Sequence, residues 1–331
     1  MYKQHAMKIL ISLSRRTRSD WWETATLEEQ KQYLKNHPRS RFKLTAHKDQ
    51  NQKPSLHKGS LASYAQSKDD PKITEEKIYS QLDPKDAEEM RAKVKKANKL
   101  KGTDVQYVKD GDYTPERKKM HDEIIRHFLS PEAIKAATPE KGTKPTFVVL
   151  GGRGGSGKSA FTHGHGGEKP SVNEFDSRKF LIMDADEIKG RLKPPYKGWN
   201  ANQVHEESSY LFDKIVDTAK NLGLNIVSDA TLKSDKLGPQ LEDMQKNGYD
   251  IEGHYMFLPR QKAAQRACGR YLSKGPGQRG RLVPPGVILE NTNNEANFDK
   301  LKPFFKKWSA YDNDQPKGTP PKLIQRGTDK E

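Results

Sequence analysis

Short apolar runs and amphipathic stretches alternate along the last two thirds of the chain. Apolar runs of strand length occur at 147–150, 180–183, 225–228 and 254–258. Stretches with the apolar spacing of a helix lie at 202–222, 235–247 and 261–273. This alternation predicts an α/β fold in which a mostly parallel sheet is covered by helices on both faces, with ligands at the carboxyl ends of the strands. Leu323 and Ile324 are expected to add a last short strand. A helix that starts at Thr114-Pro115, with an apolar stripe behind it, places the start of this domain near Gly111.

The first 110 residues follow a different pattern. A capping box at Thr26–Glu29 predicts a short helix in a small N-terminal unit. Residues 49–80 are polar and have almost no apolar periodicity, which is typical of a linker or of disorder. Asp83-Pro84 then starts a helix with a lysine-rich face. We therefore divide the chain into a helical unit at 1–48, a basic linker at 49–110 that is partly disordered or helical, and an α/β domain at 111–331.

Charge and composition narrow the range of partners. The 331 residues carry a formal net charge of +16, and more than half of this excess lies in residues 1–110. Such a basic region favours an anionic partner, either nucleic acid or an acidic protein, although a solvated basic surface explains the charge equally well. No apolar segment is long enough to span a membrane, and Cys268, the only cysteine, excludes an intramolecular disulfide. We expect a cytoplasmic protein with no membrane partner.

A phosphate-binding motif directly follows the first strand of the α/β domain. Residues 152–159 read Gly-Arg-Gly-Gly-Ser-Gly-Lys-Ser, a complete Walker A sequence. Its glycines let backbone N–H groups point at phosphate oxygens, its lysine reaches the β- and γ-phosphates, and its last serine supplies a hydroxyl to Mg²⁺. The sequence therefore predicts a nucleotide site formed by Gly152, Gly154, Gly155, Ser156, Gly157, Lys158 and Ser159.

Acidic residues follow the next two predicted strands. Asp184 and Asp186 come after 180–183, and Asp229 comes after 225–228. In a phosphate-loop kinase, a carboxylate after the first of these strands, where Asp184 and Asp186 lie, can take the proton from a substrate hydroxyl. A carboxylate after the second of these strands, where Asp229 lies, commonly helps to hold Mg²⁺. Each acid alone could instead cap a helix, and for Asp184 the two interpretations are equally good.

Three arginines lie near a glycine-rich region that is typical of a mobile lid. Arg266, Arg270 and Arg281 lie close to Gly275-Pro276-Gly277 and Gly280. Arginine offers planar donors for the charge that develops during phosphoryl transfer. Because most arginines on helices are merely solvated, this pattern alone does not assign them a role.

The ordered set of motifs resembles the zeta toxin family of bacterial and phage kinases. The resemblance covers about residues 111–326, and the matching segments are 151–159, 183–189, 204–209, 229–232, 269–271 and 280–284. It implies a phosphate-loop kinase fold. It also implies transfer of the γ-phosphate of ATP to a hydroxyl of a UDP-N-acetyl sugar.

The resemblance also implies roles for individual residues. Lys158 and Ser159 would contact ATP and Mg²⁺, and Asp186 would be the general base. Arg270 and Arg281 would stabilise the transition state. The remaining roles implied are Asp229 and Thr231 at the acceptor or the metal, and Glu206 or Glu207 at the sugar.

The chain departs from the family pattern in two places. His163–Gly167 should end the helix after the phosphate loop early. The basic N-terminal region has no counterpart in the toxin core and is similar to that of larger phage-encoded proteins, so packaging into a virion or association with one stays open. Whether an antitoxin binds the chain stays open at this point.

Two other functions remain open. A polynucleotide 5′-hydroxyl kinase also combines a phosphate loop, a strand-end aspartate and downstream arginines, and a net charge of +16 suits a phosphate backbone. A virion or scaffold protein that keeps only nucleotide binding is the alternative from a different class.

Overall fold

The computed structural model describes residues 35, 56–162, 170–233, 237–275, 278–316 and 318–329. The chain divides into two units, residues 1–55 and residues 56–331, and the helices and strands named below all lie in the second. The predicted helix after Thr26 and the segment His163–Gly167 lie outside the described residues.

The second unit alternates helices and strands. The helices are α1 (Leu61–Gln66), α2 (Glu75–Tyr79), α3 (Pro84–Ala97), α4 (Thr103–Gln106), α5 (Pro115–Phe128), α6 (Pro131–Ala137), α7 (Ala185–Arg191), α8 (His205–Asn221), α9 (Leu237–Lys246), α10 (Arg260–Leu272), α11 (Pro285–Leu289) and α12 (Asn294–Leu301). The strands are β1 (Val108–Lys109), β2 (Asp112–Tyr113), β3 (Thr146–Gly151), β4 (Leu181–Met183), β5 (Ile226–Ala230), β6 (Asp250–Phe257), β7 (Lys307–Asp312) and β8 (Lys322–Thr328).

Six strands form one sheet in the order β4-β5-β3-β6-β7-β8, and β1 pairs with β2 in a separate hairpin. Neighbours from β4 to β7 are parallel, whereas β8 is antiparallel to β7. Successive residues of β3 enter different cores: Phe147 and Val149 face the main core, and Val148 and Leu150 face a smaller one on the opposite side. Burial on both faces explains why β3 reads as a continuous apolar run. The predicted α/β fold with a mostly parallel sheet is confirmed.

The sequence pattern did not reveal β7. This strand reads Lys-Trp-Ser-Ala-Tyr-Asp, and its side chains alternate irregularly between buried and half-buried positions. The last strand, β8, is longer than the two residues predicted for it. Both strands lie towards one edge of the sheet, where the apolar signal is weakest.

Residues 56–110 belong to the same compact unit as the α/β domain, in contrast to the predicted linker. Leu61 of α1, Ile78 of α2 and Met90 of α3 are each 0% exposed. Leu61 packs in the main core, whereas Ile78 and Met90 form a second core with α10 and α11. Because α1 and α2 are too short to show helical periodicity, their burial could not be read from the pattern.

The chain leaves the phosphate loop in a single short turn. A 3₁₀ helix spans Lys158–Phe161, and Thr162 is extended. The predicted early end of this helix is confirmed. No helix in the described part of the chain is both long and apolar enough to cross a membrane.

Candidate functional site

The loop after β3 depends on its glycines. Gly152, Gly155 and Gly157 have φ values of +141°, +87° and +95°. A side chain is strained in such conformations, and glycine is not. A Cβ on Gly152 would lie 2.6 Å from the carbonyl oxygen of Met256, and one on Gly155 would lie 2.5 Å from that of Ala263. The loop therefore lies against the backbones of β6 and α10 without room for side chains.

A buried cation fixes the loop from below. Arg153 is 1% exposed; its Nη1 donates to the Leu258 carbonyl at 3.0 Å and its Nη2 to Glu295 Oε2 at 2.8 Å. The other carboxylate oxygen of Glu295 accepts from the Tyr255 hydroxyl at 2.8 Å. Burial raises the pKa of Glu295, and the charge of Arg153 opposes this rise. Arg153 therefore points away from the phosphate side and anchors the loop, a role that sequence reasoning did not assign.

Lys158 lies between the loop and the end of β5. Its Nζ donates to the Gly152 carbonyl at 2.6 Å and lies 3.3 Å from Asp229 Oδ1. Burial raises the pKa of Asp229, the charge of Asp184 raises it further, and Lys158 opposes both. Asp229 pairs in register with Leu150 of β3, so the sheet itself brings the lysine and the acid together.

The carboxylates after β4 have different surroundings. Asp184 is the N-cap of α7, since its Oδ1 accepts from the Asp186 backbone N–H at 2.8 Å. Asp186 forms an ion pair with Arg281 and lies 3.3 Å from the Nζ of Lys189. Burial lowers the pKa of Lys189, and Asp184 opposes this effect. The capping interpretation thus holds for Asp184, and Asp186 projects its side chain to two cations.

The two predicted arginines lie in different environments. Arg281 reaches Asp186, and burial lowers the pKa of its guanidinium, with the charge of Asp184 opposing the decrease. Arg270 is exposed in the last turn of α10, and no ion pair of its side chain occurs within the described ranges. The fold therefore joins Arg281, and not Arg270, to the strand-end carboxylates.

The two glutamates at the start of α8 also differ. Glu206 is exposed, whereas Glu207 is buried and accepts from Arg117 Nε and Nη2 at 2.5 and 2.8 Å. His121 Nε2 lies 2.6 Å from Glu207 Oε1. Burial alone would raise the pKa of Glu207, but the hydrogen bonds from His121 and Arg117 outweigh it and lower the pKa to about 2. Glu207 therefore ties α8 to α5, and Glu206 is the glutamate that presents its side chain to solvent.

Thr231 lies just beyond the end of β5. Its carbonyl oxygen accepts a hydrogen bond from the amide of Asn294. The residue lines a cleft of about 630 Å³ beside α8, together with Asp213 and Lys233. Burial raises the pKa of Asp213, and the charge of Asp217 raises it further. Thr231 thus lies between the end of β5 and an open cleft.

The family model described as "Zeta toxin" matches residues 131–315, more than half of the chain. Compared by sequence with curated proteins, the chain matches none.

Several solved structures are similar to this chain. A crystal structure of AvrRxo1-ORF1:AvrRxo1-ORF2 with sulphate ions is 18% identical, has a TM-score of 0.54, and the match covers 70% of this chain and 78% of the other. A crystal structure of the same pair with ATP is 18% identical, has a TM-score of 0.50, and the match covers 70% and 76%. A chain of the PezAT toxin-antitoxin system of Streptococcus pneumoniae is 17% identical over 65% and 82%, with a TM-score of 0.46. On the family match, the chain belongs to the zeta toxin family.

Proposed function

We propose that the protein is an ATP- and Mg²⁺-dependent kinase that phosphorylates a hydroxyl of a small molecule, with a UDP-N-acetyl sugar as the acceptor. The observation that carries this proposal is the position of two ion pairs at the carboxyl ends of neighbouring strands. Lys158 after β3 pairs with Asp229 of β5, and Asp186 after β4 pairs with Arg281. Family membership supports phosphoryl transfer, and the fold shared with an ATP-bound structure supports the choice of nucleotide.

The phosphate loop would bind the nucleotide through groups that form hydrogen bonds and an ion pair with one another in this structure. Lys158 donates to the loop carbonyl of Gly152 and pairs with Asp229. Phosphate oxygens would replace these partners, since a lysine at this position of the motif reaches the β- and γ-phosphates. Gly155, Ser156 and Gly157 would contribute backbone N–H groups.

The oxygen ligands present fit a magnesium site. Ser159 is exposed, and Asp229 offers a carboxylate whose pKa is raised by burial, so that a nearby cation would stabilise its ionised form. Mg²⁺ commonly uses one or two protein oxygens and takes its other ligands from phosphates and water. When bound, Mg²⁺ would neutralise charge on the β- and γ-phosphates.

Asp186 would act as the general base. The acceptor hydroxyl oxygen forms a bond to the γ-phosphorus, the bond from that phosphorus to the β-γ bridging oxygen breaks, and ADP leaves. The hydroxyl proton goes to Asp186. Two cations next to a carboxylate make it a weaker base. We therefore expect Arg281 to move its donors to the γ-phosphate oxygens as charge develops there, with Arg270 approaching from the end of α10.

The test is transfer of labelled γ-phosphate from ATP with Mg²⁺, offered in parallel to UDP-N-acetylglucosamine and to a 5′-hydroxyl oligonucleotide. Label on the sugar nucleotide that disappears in Lys158→Ala and Asp186→Asn supports the proposal. Asp186→Asn should keep ATP binding and lose transfer, because only the proton acceptor is removed. Full activity of that variant would contradict the role of Asp186. Label on the oligonucleotide alone would make the protein a polynucleotide kinase.

A protein partner is part of the same proposal. The two AvrRxo1 structures are complexes of two proteins, and the match covers 70% of this chain in each. An antitoxin would be expected to block the transfer assay when added in equimolar amount. A basic first third also suits nucleic acid, and a steep decrease of affinity with salt would reveal such binding.

A further inference from the structure

We propose that Asp86 and Glu89 of α3 are positioning residues that hold the backbone from which Arg281 reaches the site beside Asp186. They act through Arg279, which belongs to a segment that we call the arginine loop (residues 278–284). This inference rests on the proposed function, because the role of Arg281 in phosphoryl transfer gives the contact its consequence.

The first step is the contact between α3 and the arginine loop. Arg279 Nη2 and Nε donate to Glu89 Oε2 at 2.8 and 3.1 Å, and Nη2 also pairs with Asp86. The Arg279 side chain is 12% exposed, and those of Asp86 and Glu89 are 30% and 32% exposed. The second oxygen of Glu89 accepts from the Tyr271 hydroxyl at 2.8 Å. An arginine shared by two half-buried carboxylates is held more firmly than a solvated surface pair.

The second step is the short path from Arg279 to Arg281. Gly280, between the two arginines, donates its N–H to the Tyr271 carbonyl at 2.8 Å, and Leu282, directly after Arg281, donates its N–H to the Gly198 carbonyl at 2.9 Å. A Cβ on Gly280 would lie 2.6 Å from the Arg270 carbonyl oxygen, so the loop runs tightly against α10. Because only Gly280 separates the two arginines, we expect a displacement of Arg279 to carry with it the backbone that presents Arg281.

The third step is the limited support of Arg281 itself. Its Nη1 pairs with Asp186, but its buried Nε has no hydrogen-bond partner in the part of the chain that the structure describes. A guanidinium held at one end takes its position from its backbone more than from its own contacts. The placement of Arg281 therefore depends on the anchoring of the arginine loop.

The fourth step is the rigidity of α3. Ala87 and Met90 are buried in the second core, together with Cys268 and Tyr271 of α10. Asp86 and Glu89 project from a helix that is packed rather than solvated on this side. The segment before the family domain thus supplies a fixed platform for a loop that lies almost two hundred residues later in the chain.

The experiment uses the full-length protein with Glu89→Gln, Asp86→Asn and the double variant, and with Glu88→Gln as the control. Glu88 is exposed on the same helix, and none of the contacts above involves it. We expect kcat to decrease about tenfold in Glu89→Gln and further in the double variant, since misplacing a reacting group by about an ångström can cost about a hundredfold. KM for ATP should change less than about twofold, because the phosphate loop is untouched. Glu88→Gln should match the wild type.

A double-mutant cycle separates positioning from general structure. If Glu89 acts through Arg279, then Glu89→Gln should add little to the loss of kcat in Arg279→Gln. Additive losses of kcat would overturn the proposal. So would losses of kcat that follow the decrease of the thermal unfolding midpoint from variant to variant.

Hydrogen exchange gives a readout that does not need activity. We expect the amides of Gly280 and Leu282 to exchange faster in the double variant than in the wild type or in Glu88→Gln. Unchanged exchange would overturn the inference. If the wild type transfers phosphate to no acceptor, the proposed function fails, and the exchange rates still decide whether Asp86 and Glu89 hold the arginine loop.

Discussion

At the scale of single residues, several charged side chains that are buried in the described unit form ion pairs with side chains of opposite charge. Arg153 lies against Glu295 beneath the phosphate loop, and Glu207 lies against Arg117 between α5 and α8. Removing one member of a buried ion pair is costly, because the remaining charge stays desolvated. These pairs therefore fix the elements that carry the site. Their loss should lower the free energy of unfolding before it lowers the rate of phosphate transfer.

Glu207 makes the stability depend on pH in a defined window. Its folded pKa of about 2 lies below the ordinary value of 4.5, so its stabilisation is complete above pH 4.5 and is lost as the pH falls towards 2. That shift corresponds to about 3 kcal/mol. We expect Glu207→Gln to lower the free energy of unfolding at pH 7 by roughly this amount or more and to flatten its acid dependence. Glu206→Gln is the matched control, and urea denaturation at about pH 7 and about pH 3 is the measurement. Equal stability of both variants would contradict the role of Glu207.

Gly155 has a left-handed backbone conformation and lies so close to the backbone of α10 that a side chain would not fit. Gly155→Ala should cost about 1 kcal/mol for the conformation and should also push the loop away from the Ala263 carbonyl oxygen. We expect ATP affinity to decrease at least about tenfold, a loss of about 1.4 kcal/mol. Gly142 has a similar φ of +84°, and a Cβ added there would meet no atom within 4 Å, so Gly142→Ala isolates the backbone cost. Calorimetric titration with ATP should show a loss only in Gly155→Ala, and wild-type affinity there would disprove the steric argument.

At the scale of elements, packing rather than helix propensity keeps the helices before the family domain in place. Helices of five or six residues such as α1 and α2 are unstable alone. Their first turns are capped, since Ser60 accepts from the Ser63 N–H at 3.0 Å and Thr74 accepts from the Lys77 N–H at 3.3 Å. Their buried side chains join cores made mostly by later parts of the chain.

Met90 tests whether α3 is part of the cooperative unit. We expect Met90→Ala to destabilise the protein by about 2–5 kcal/mol, the usual cost of removing a large buried side chain. The unit should still unfold in one transition, because the second core is shared with α10 and α11. Lys95→Ala on the exposed face of α3 should change stability by less than about 0.5 kcal/mol. Thermal unfolding followed by circular dichroism compares the two, and a separate early transition would contradict the shared core.

The sequence could predict those elements and residues whose signal is local. The spacing of the phosphate loop singled out Lys158, and the ends of the apolar runs predicted that Asp184, Asp186 and Asp229 lie at the same edge of the sheet as this loop. The contact of Arg153 with Glu295 spans 142 residues, and that of Arg279 with Glu89 spans 190, so neither leaves a mark in any local window. The strand β7 and the short helices α1 and α2 were missed because tertiary packing, and not periodicity, defines them.

At the scale of the whole molecule, the strand order assembles the site from distant segments. Placing β3 between β5 and β6, with β4 next to β5, brings the phosphate loop beside both acidic strand ends. The family match begins at residue 131, but the second core already includes Ile78, Tyr79, Ala87 and Met90. The folding unit is therefore larger than the family domain.

Truncation should show this difference. We expect a protein that begins at residue 56 to unfold in a single cooperative transition, because residues 56–331 form their own compact unit. A protein that begins at residue 111 should unfold at a much lower temperature or aggregate, since it exposes the apolar faces of α10 and α11. Differential scanning calorimetry of the two measures the effect. A protein from residue 111 onwards that is as stable and as active as the longer one would contradict it.

The burial of the single cysteine gives this protein a chemical reporter. Cys268 lies on α10 in the second core, to which α3 contributes Met90, and burial raises the pKa of its thiol to about 11. A protonated, enclosed thiol resists alkylation, so a maleimide can react only when the helices around it separate. Because the chain has no other cysteine, the labelling rate would report that separation directly, without engineering a probe into the protein.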